Sequence, residues 1–165
     1  MSVRELSGKV MTVLGPIEPE ALGITLTHEH LLLDDECYFA PPGEASERAW
    51  ISAPVTIDRL GGIARRVHYN LDNMKLFDVQ AAIEEASLYS RAGGSSMVDA
   101  TSMGNGRDPL ALARIARATG LNIIMGGSYY VPLAHPPDMD RRSEESVADE
   151  IVRDITQGGG DTGGW

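Results

Sequence analysis

The sequence predicts an α/β fold with a parallel sheet at its centre. Segments of strand and helix periodicity alternate three times between Ile24 and Ile155. The helical segments open on Asp78, Asp108 and Ser143, and the first two close on Gly93-Gly94 and Gly120. The strand before the last helix, Leu121 to Met125, is almost wholly apolar, as strands covered on both faces are. Right-handed crossovers turn this order into a parallel sheet, and at this level both an open doubly wound sheet and a barrel satisfy it.

Val10 to Leu14 reads as a short strand, broken by Gly15-Pro16 and Pro19, with extended structure resuming from Leu22. The expectation is an N-terminal hairpin leading into Ile24-Thr25-Leu26-Thr27-His28-Glu29-His30. In a strand, positions i and i+2 share a face, so His28 and His30 aim side by side while Glu29 points away. A helix would set the same pair about 200° apart. Two imidazoles from one rigid strand suit a metal site. The plainer alternative is a pair of satisfied polar residues at a strand end.

From about Asp34 to Asp78 no periodicity holds, and Pro41-Pro42-Gly43 and Gly61-Gly62 interrupt the chain. Apart from a short helix near Asp58 to Arg66, this length reads as a large loop covering something. Asp78 then caps a helix with Val79, Ala82, Ile83, Ala86 and Tyr89 at helical spacing. Ser95 to Ala100 is the next strand. Asp108-Pro109 starts a helix presenting Leu112, Ile115, Ala116 and Thr119 on one face. The last helix begins near Ser143 with Glu144 and Glu145 in its first turn, and is expected to bury Val147, Ala148, Ile151, Val152 and Ile155. A glycine-rich tail, Gln157 to Trp165, stands where the alternation calls for a fourth strand.

One domain fits 165 residues. The net charge of -10, from 24 acids against 14 bases, would repel phosphates, so no nucleic-acid partner is expected. No uncharged apolar window reaches membrane-spanning length, and Met1 to Leu6 lacks the apolar run of a secretory signal. The lone Cys37 has no intramolecular partner, and a cytoplasmic setting is expected. Beside Asp35 and Glu36 its thiolate is disfavoured. Gly104-Asn105-Gly106-Arg107 lacks the spacing of a phosphate-binding loop and reads as a tight strand-to-helix turn. His68 and His135 read as loop residues. Asp99, ending the second strand, is expected to make capping or loop hydrogen bonds, with orientation of a metal ligand as the alternative.

The run Thr12-Val13-Leu14-Gly15-Pro16-Ile17, followed by Leu22-Gly23-Ile24 and the His28-Glu29-His30 motif, resembles the start of the phosphotriesterase family within the amidohydrolase superfamily. Further matches follow in order: Ala92-Gly93-Gly94, Val98-Asp99-Ala100-Thr101, Gly104 to Pro109, Thr119 to Ile124, Tyr129-Tyr130-Val131 and His135-Pro136.

The resemblance implies a (β/α)₈ barrel, of which residues 1–165 form a part: about the first three β/α units plus an N-terminal β-hairpin, stopping before the fourth strand. Gly160-Asp161-Thr162-Gly163 resembles the segment just before that strand. It further implies two divalent ions, usually zinc, with His28 and His30 holding the more buried one and Tyr129 lining the substrate pocket. The bridging carboxylate and the remaining ligands then lie beyond Trp165, and no catalytic residue falls within this chain. The implied activity is hydrolysis of a small-molecule phosphotriester, lactone or related ester by a metal-activated hydroxide. The alternative is a truncated, inactive fragment or interaction module that holds at most one ion weakly. Its exposed sheet edges would then favour self-association.

Overall fold

The computed structural model describes residues 6–158. The tail expected to precede a fourth strand lies almost wholly outside the described residues.

The chain opens with a tight hairpin, β1 (Val10–Thr12) paired antiparallel with β2 (Gly15–Ile17). Gly15 and Pro16 do not break a strand, as expected, but form its return arm. Thr12 Oγ1 donates to the Gly15 carbonyl at 2.7 Å and accepts from Leu14 N, closing the two-residue turn. A two-stranded ribbon has free edges, and there proline is tolerated.

The central sheet is three-stranded and parallel, in the order β3 (Thr25–Glu29), β6 (Ser96–Asp99), β7 (Asn122–Met125). Sequential strands are neighbours, and a crossover segment joins each strand of this sheet to the next. Between β3 and β6 the chain makes the long irregular excursion. Its two ends meet where β4 (Leu33–Asp34) pairs antiparallel with β5 (Lys75–Leu76). The expected short helix is there, as a 3-10 turn at Ile57–Arg59 running into α1 (Leu60–Ile63). A buried polar side chain organises the rest. Asn70, fully buried, donates to the carbonyls of Trp50 and Ala53, both at 2.7 Å, and accepts from Asn73 N. An asparagine satisfied in this way can order a segment that has no hydrophobic period.

Helix α2 (Val79–Arg91) starts where Asp78 accepts from the amides of Gln80 and Ala81. Helix α3 (Pro109–Thr119) starts where Asp108 accepts from Ala111 N and ends at Gly120, whose φ of 73° is the left-handed value glycine takes without strain. Together they cover one face of the sheet, with Ala82, Ala86, Leu112, Ile115 and Ala116 packed on Met97 and Ile123. The alanines let the helix backbones sit close, and Ile115 and Ile123 are completely inaccessible to solvent.

Helix α4 (Glu144–Gln157) is capped by Ser143, as expected. The apolar face assigned to it is only partly buried, however, with Val147 and Ile151 half-buried. Val152 and Ile155 are about half exposed, at 55% and 49%, Ala148 is exposed, and Asp154 is the helix's buried residue. Asp154 pairs with Arg107 at 2.7 Å, both side chains 8% exposed, while Arg107 also donates to the Gly126 carbonyl. This ion pair ties α4 to the loop after β6 and, through the Gly126 carbonyl, to the end of β7. Beside it a groove of about 560 Å³ runs between the hairpin, α3 and α4, lined by Met11, Val13, Leu110, Ile124, Ile151 and Ile155 among others.

Candidate metal centre

The register of β3 against β6 sets the direction of the histidines. Leu26 lies opposite Met97, and Glu29 opposite Asp99. The chain thus advances three residues on β3 for two on β6, an extra residue of the kind that forms a bulge. Leu26 and Met97 share the face packed against the helices. Strict alternation from Leu26 would send His28 and His30 to that same face. The extra residue resets the alternation, so Glu29 takes the helix side and the two histidines turn to the opposite one. There the rings stand with centroids 5.5 Å apart and planes at 72°, His28 exposed and His30 half-buried.

The end of β6 holds this arrangement from behind. Asp99, with no exposed surface, accepts from Leu31 N through Oδ2 at 2.8 Å and from Thr101 N through Oδ1 at 3.0 Å. The Glu29 carbonyl accepts from Ala100 N at 2.7 Å. Asp99 therefore makes the expected loop hydrogen bonds, and by pinning Leu31 it also fixes the residue next to His30. Burial pushes its carboxyl above the ordinary carboxylate range, against the pull of the two amides, the Thr101 hydroxyl and nearby His30. Thr101, almost completely buried, places Oγ1 2.9 Å from His30 Nδ1 and 2.9 Å from the Leu32 carbonyl. Sequence reasoning gave Thr101 no role of its own; its signal would have been a hydroxyl two residues beyond a strand-ending aspartate.

Two imidazole nitrogens on one face, with backbone and ring held by a neighbouring strand, fit a divalent cation as part of its ligand set. Among the described residues no group of three or more His, Cys, Asp or Glu side chains converges to complete it.

Tyr129 stands apart from the histidines in its contacts. It follows β7 by four residues, where Met103 and Tyr129 bridge in parallel and Met103 N bonds to the Ser128 carbonyl, prolonging the sheet past its last regular residue. Its hydroxyl accepts from Arg142, whose guanidinium lies 5.5 Å from the ring centre and also pairs with Glu150 of α4. Burial pushes the phenol's pKa up, and Arg142 holds Glu150 low. His135 packs its ring edge-on to Tyr129, 6.1 Å away, and its Nε2 meets the Tyr130 carbonyl, a loop role as expected. His68 is exposed beside Tyr38. For Cys37, burial and then Asp35 and Asp34 push the thiol's pKa up, away from nucleophile or ligand chemistry. Gly104 and Gly106 form the expected tight turn, with φ near 98° and 94°. A Cβ at Gly104 would sit 2.1 Å from the Ala134 carbonyl, so the loop after β6 packs backbone to backbone on the loop after β7.

The model of the phosphotriesterase family matches residues 8–164. N-acetyltaurine hydrolase from Xenopus tropicalis is 39% identical over 154 residues, which are 93% of this chain and 44% of that protein. A resiniferatoxin-binding protein from Rhodobacter sphaeroides superposes with a TM-score of 0.91 at 40% identity, over 96% of this chain and 44% of that one. An organophosphorus hydrolase from Deinococcus radiodurans does so with a TM-score of 0.63 at 25% identity, over 94% and 41%. The chain thus spans less than half the length of the relatives it matches. Among the described residues no helix is long and apolar enough to cross a membrane.

Proposed function

The chain belongs to the phosphotriesterase family, and from that premise we propose that it supplies the first metal-binding strand of a hydrolase acting on a small carbonyl or phosphoryl substrate. The pairing of His28 and His30 on the sheet face turned away from the helices, at the end where β6 and β7 also release their loops, carries this reading. A divalent ion there, zinc by the family resemblance, would contribute a Lewis acid for the scissile carbonyl or phosphoryl oxygen and make water acidic near neutral pH. The chain's own part is to orient two nitrogen donors. Asp99 fixes the backbone that follows His30, and the bulge in β3 turns both rings the same way. Tyr129, clamped by Arg142, offers a fixed aromatic face to a substrate beside the strand ends.

The sequence pointed to a phosphotriester, lactone or related ester. An amide joins that group, because the curated relatives at 37–39% identity are named for hydrolysis of N-acetyltaurine. All of these substrates share attack at a polarised carbon or phosphorus centre. A second reading follows from the two-histidine donor set among the described residues: the 165 residues alone hold one ion weakly and turn nothing over.

Metal analysis after exhaustive dialysis, with turnover assays on N-acetyltaurine, a paraoxon-like triester and a lactone, separates the two. Bound zinc lost in both His28→Ala and His30→Ala is the expected result, and zinc retained in both variants would overturn the site. Near two ions per chain with measurable turnover establishes a working enzyme. Less than one ion with no turnover establishes the second reading.

A further inference from the structure

We propose that Thr101 is a positioning residue that holds His30 in the Nδ1–H tautomer, so that Nε2 keeps the lone pair. The tautomer follows from hydrogen-bond arithmetic; only the use of Nε2 as a metal donor rests on the function proposed above.

A threonine hydroxyl has one proton to give and two lone pairs to receive with. Thr101 Oγ1 stands 2.9 Å from the Leu32 carbonyl oxygen and 2.9 Å from His30 Nδ1. The Leu32 carbonyl can only accept, and so does the Asp99 carboxylate, whose charged form the hydroxyl favours, so the hydroxyl proton goes to one of these two and not to His30. Thr101 can then satisfy His30 only by accepting, which requires the hydrogen to be on Nδ1. The reverse assignment, with the hydroxyl donating to Nδ1, would press an oxygen lone pair against the carbonyl oxygen at hydrogen-bond distance and leave that carbonyl unmatched.

The hydroxyl is held in place. Thr101 is 1% exposed, and its amide is tied to Asp99 Oδ1, whose partner oxygen holds Leu31 N. Strand β6 thereby grips the turn after His30 at two points, one through the carboxylate of Asp99 and one through the hydroxyl of Thr101. The hydrogen bond at one imidazole nitrogen decides which nitrogen is left as a donor for a cation. Here the remaining one is Nε2.

The test uses the metal-free 165-residue chain, labelled with ¹⁵N in histidine, at about pH 8, where an imidazole is mostly neutral. Two-bond ¹H–¹⁵N correlations distinguish the protonated ring nitrogen from the bare one. The expected spectrum shows His30 with a protonated Nδ1 and a bare Nε2. Thr101→Val should release the ring to a mixture richer in the Nε2–H form, and Thr101→Ser should keep the Nδ1–H form. Titration with Co²⁺ should be weakened about 10-fold or more by Thr101→Val and little changed by Thr101→Ser.

A wild-type spectrum dominated by Nε2–H, or a Thr101→Val spectrum unchanged from wild type, would overturn the proposal. If Thr101→Val does not fold, the wild-type and Thr101→Ser spectra decide it. A wild-type chain with Nδ1–H that binds no Co²⁺ supports the tautomer assignment and removes the metal reading instead.

Discussion

At the scale of single residues, Asp99 carries an electrostatic conflict that can be measured. Two backbone amides and the nearby His30 favour its charged form, while complete burial disfavours it, and burial wins. A carboxyl whose pKa is raised on folding keeps its proton in the native state after the unfolded chain has lost it. Its contribution to stability is therefore complete below the unfolded value and falls as pH rises through the window above that value. Asp99→Asn removes this slope. It also offers an NH₂ group where one of the two amides needs an acceptor, at a cost of about 1–3 kcal/mol at neutral pH. Urea denaturation of both proteins across a pH series checks both expectations. An identical pH slope in the two proteins would show that the carboxyl is not the group responsible.

At the scale of elements, the anchoring of α4 is the feature the helical pattern misrepresented. Its spacing of Val147, Ile151 and Ile155 is that of a buried stripe, yet the buried contact is Asp154 on Arg107. Cutting one partner from a buried ion pair leaves an uncompensated charge, a loss of roughly 3–5 kcal/mol. The Gly126 carbonyl that Arg107 also meets should hold the loss toward the lower figure. Asp154→Ala is accordingly expected to lower stability by about 3 kcal/mol and to loosen α4 first, seen as faster amide exchange in Ile151 to Thr156 than in α2 or α3. Uniform acceleration through all three helices would mean that α4 unfolds only with the whole molecule. The caps, in contrast, were legible residue by residue: Asp78, Asp108 and Ser143 each accept amide hydrogens at the helix starts where the sequence put them.

At the scale of the molecule, the parallel sheet ends in β7 among the described residues, and the groove beside it brings together Leu110, exposed at 64%, with the half-exposed Ile155. Apolar surface next to an edge strand invites pairing with another chain. The isolated 165 residues are expected to bind an environment-sensitive dye such as ANS and to sediment with a concentration-dependent mass. Leu110→Glu together with Ile155→Glu should reduce both signals. A dye-silent monomer at all concentrations would count against this expectation.

Local chemistry was readable from the chain alone. Helix caps, the helix stop at Gly120 and the three consecutive strand–helix units all follow from patterns within short stretches of the chain. Contacts between distant segments were not readable, because periodicity is blind to what lies opposite. The bulge in β3 exists only against the register of β6, and the exposure of α4 depends on what packs across it. The irregular excursion after His30 closes through Asn70, whose partners lie 17 and 20 residues away. The hydroxyl of Thr101 gained its meaning only when folding brought it 71 positions back along the chain to His30. Hydrogen-bond direction and side-chain burial are properties of pairs, and the pairs that shape this site are made across the sheet.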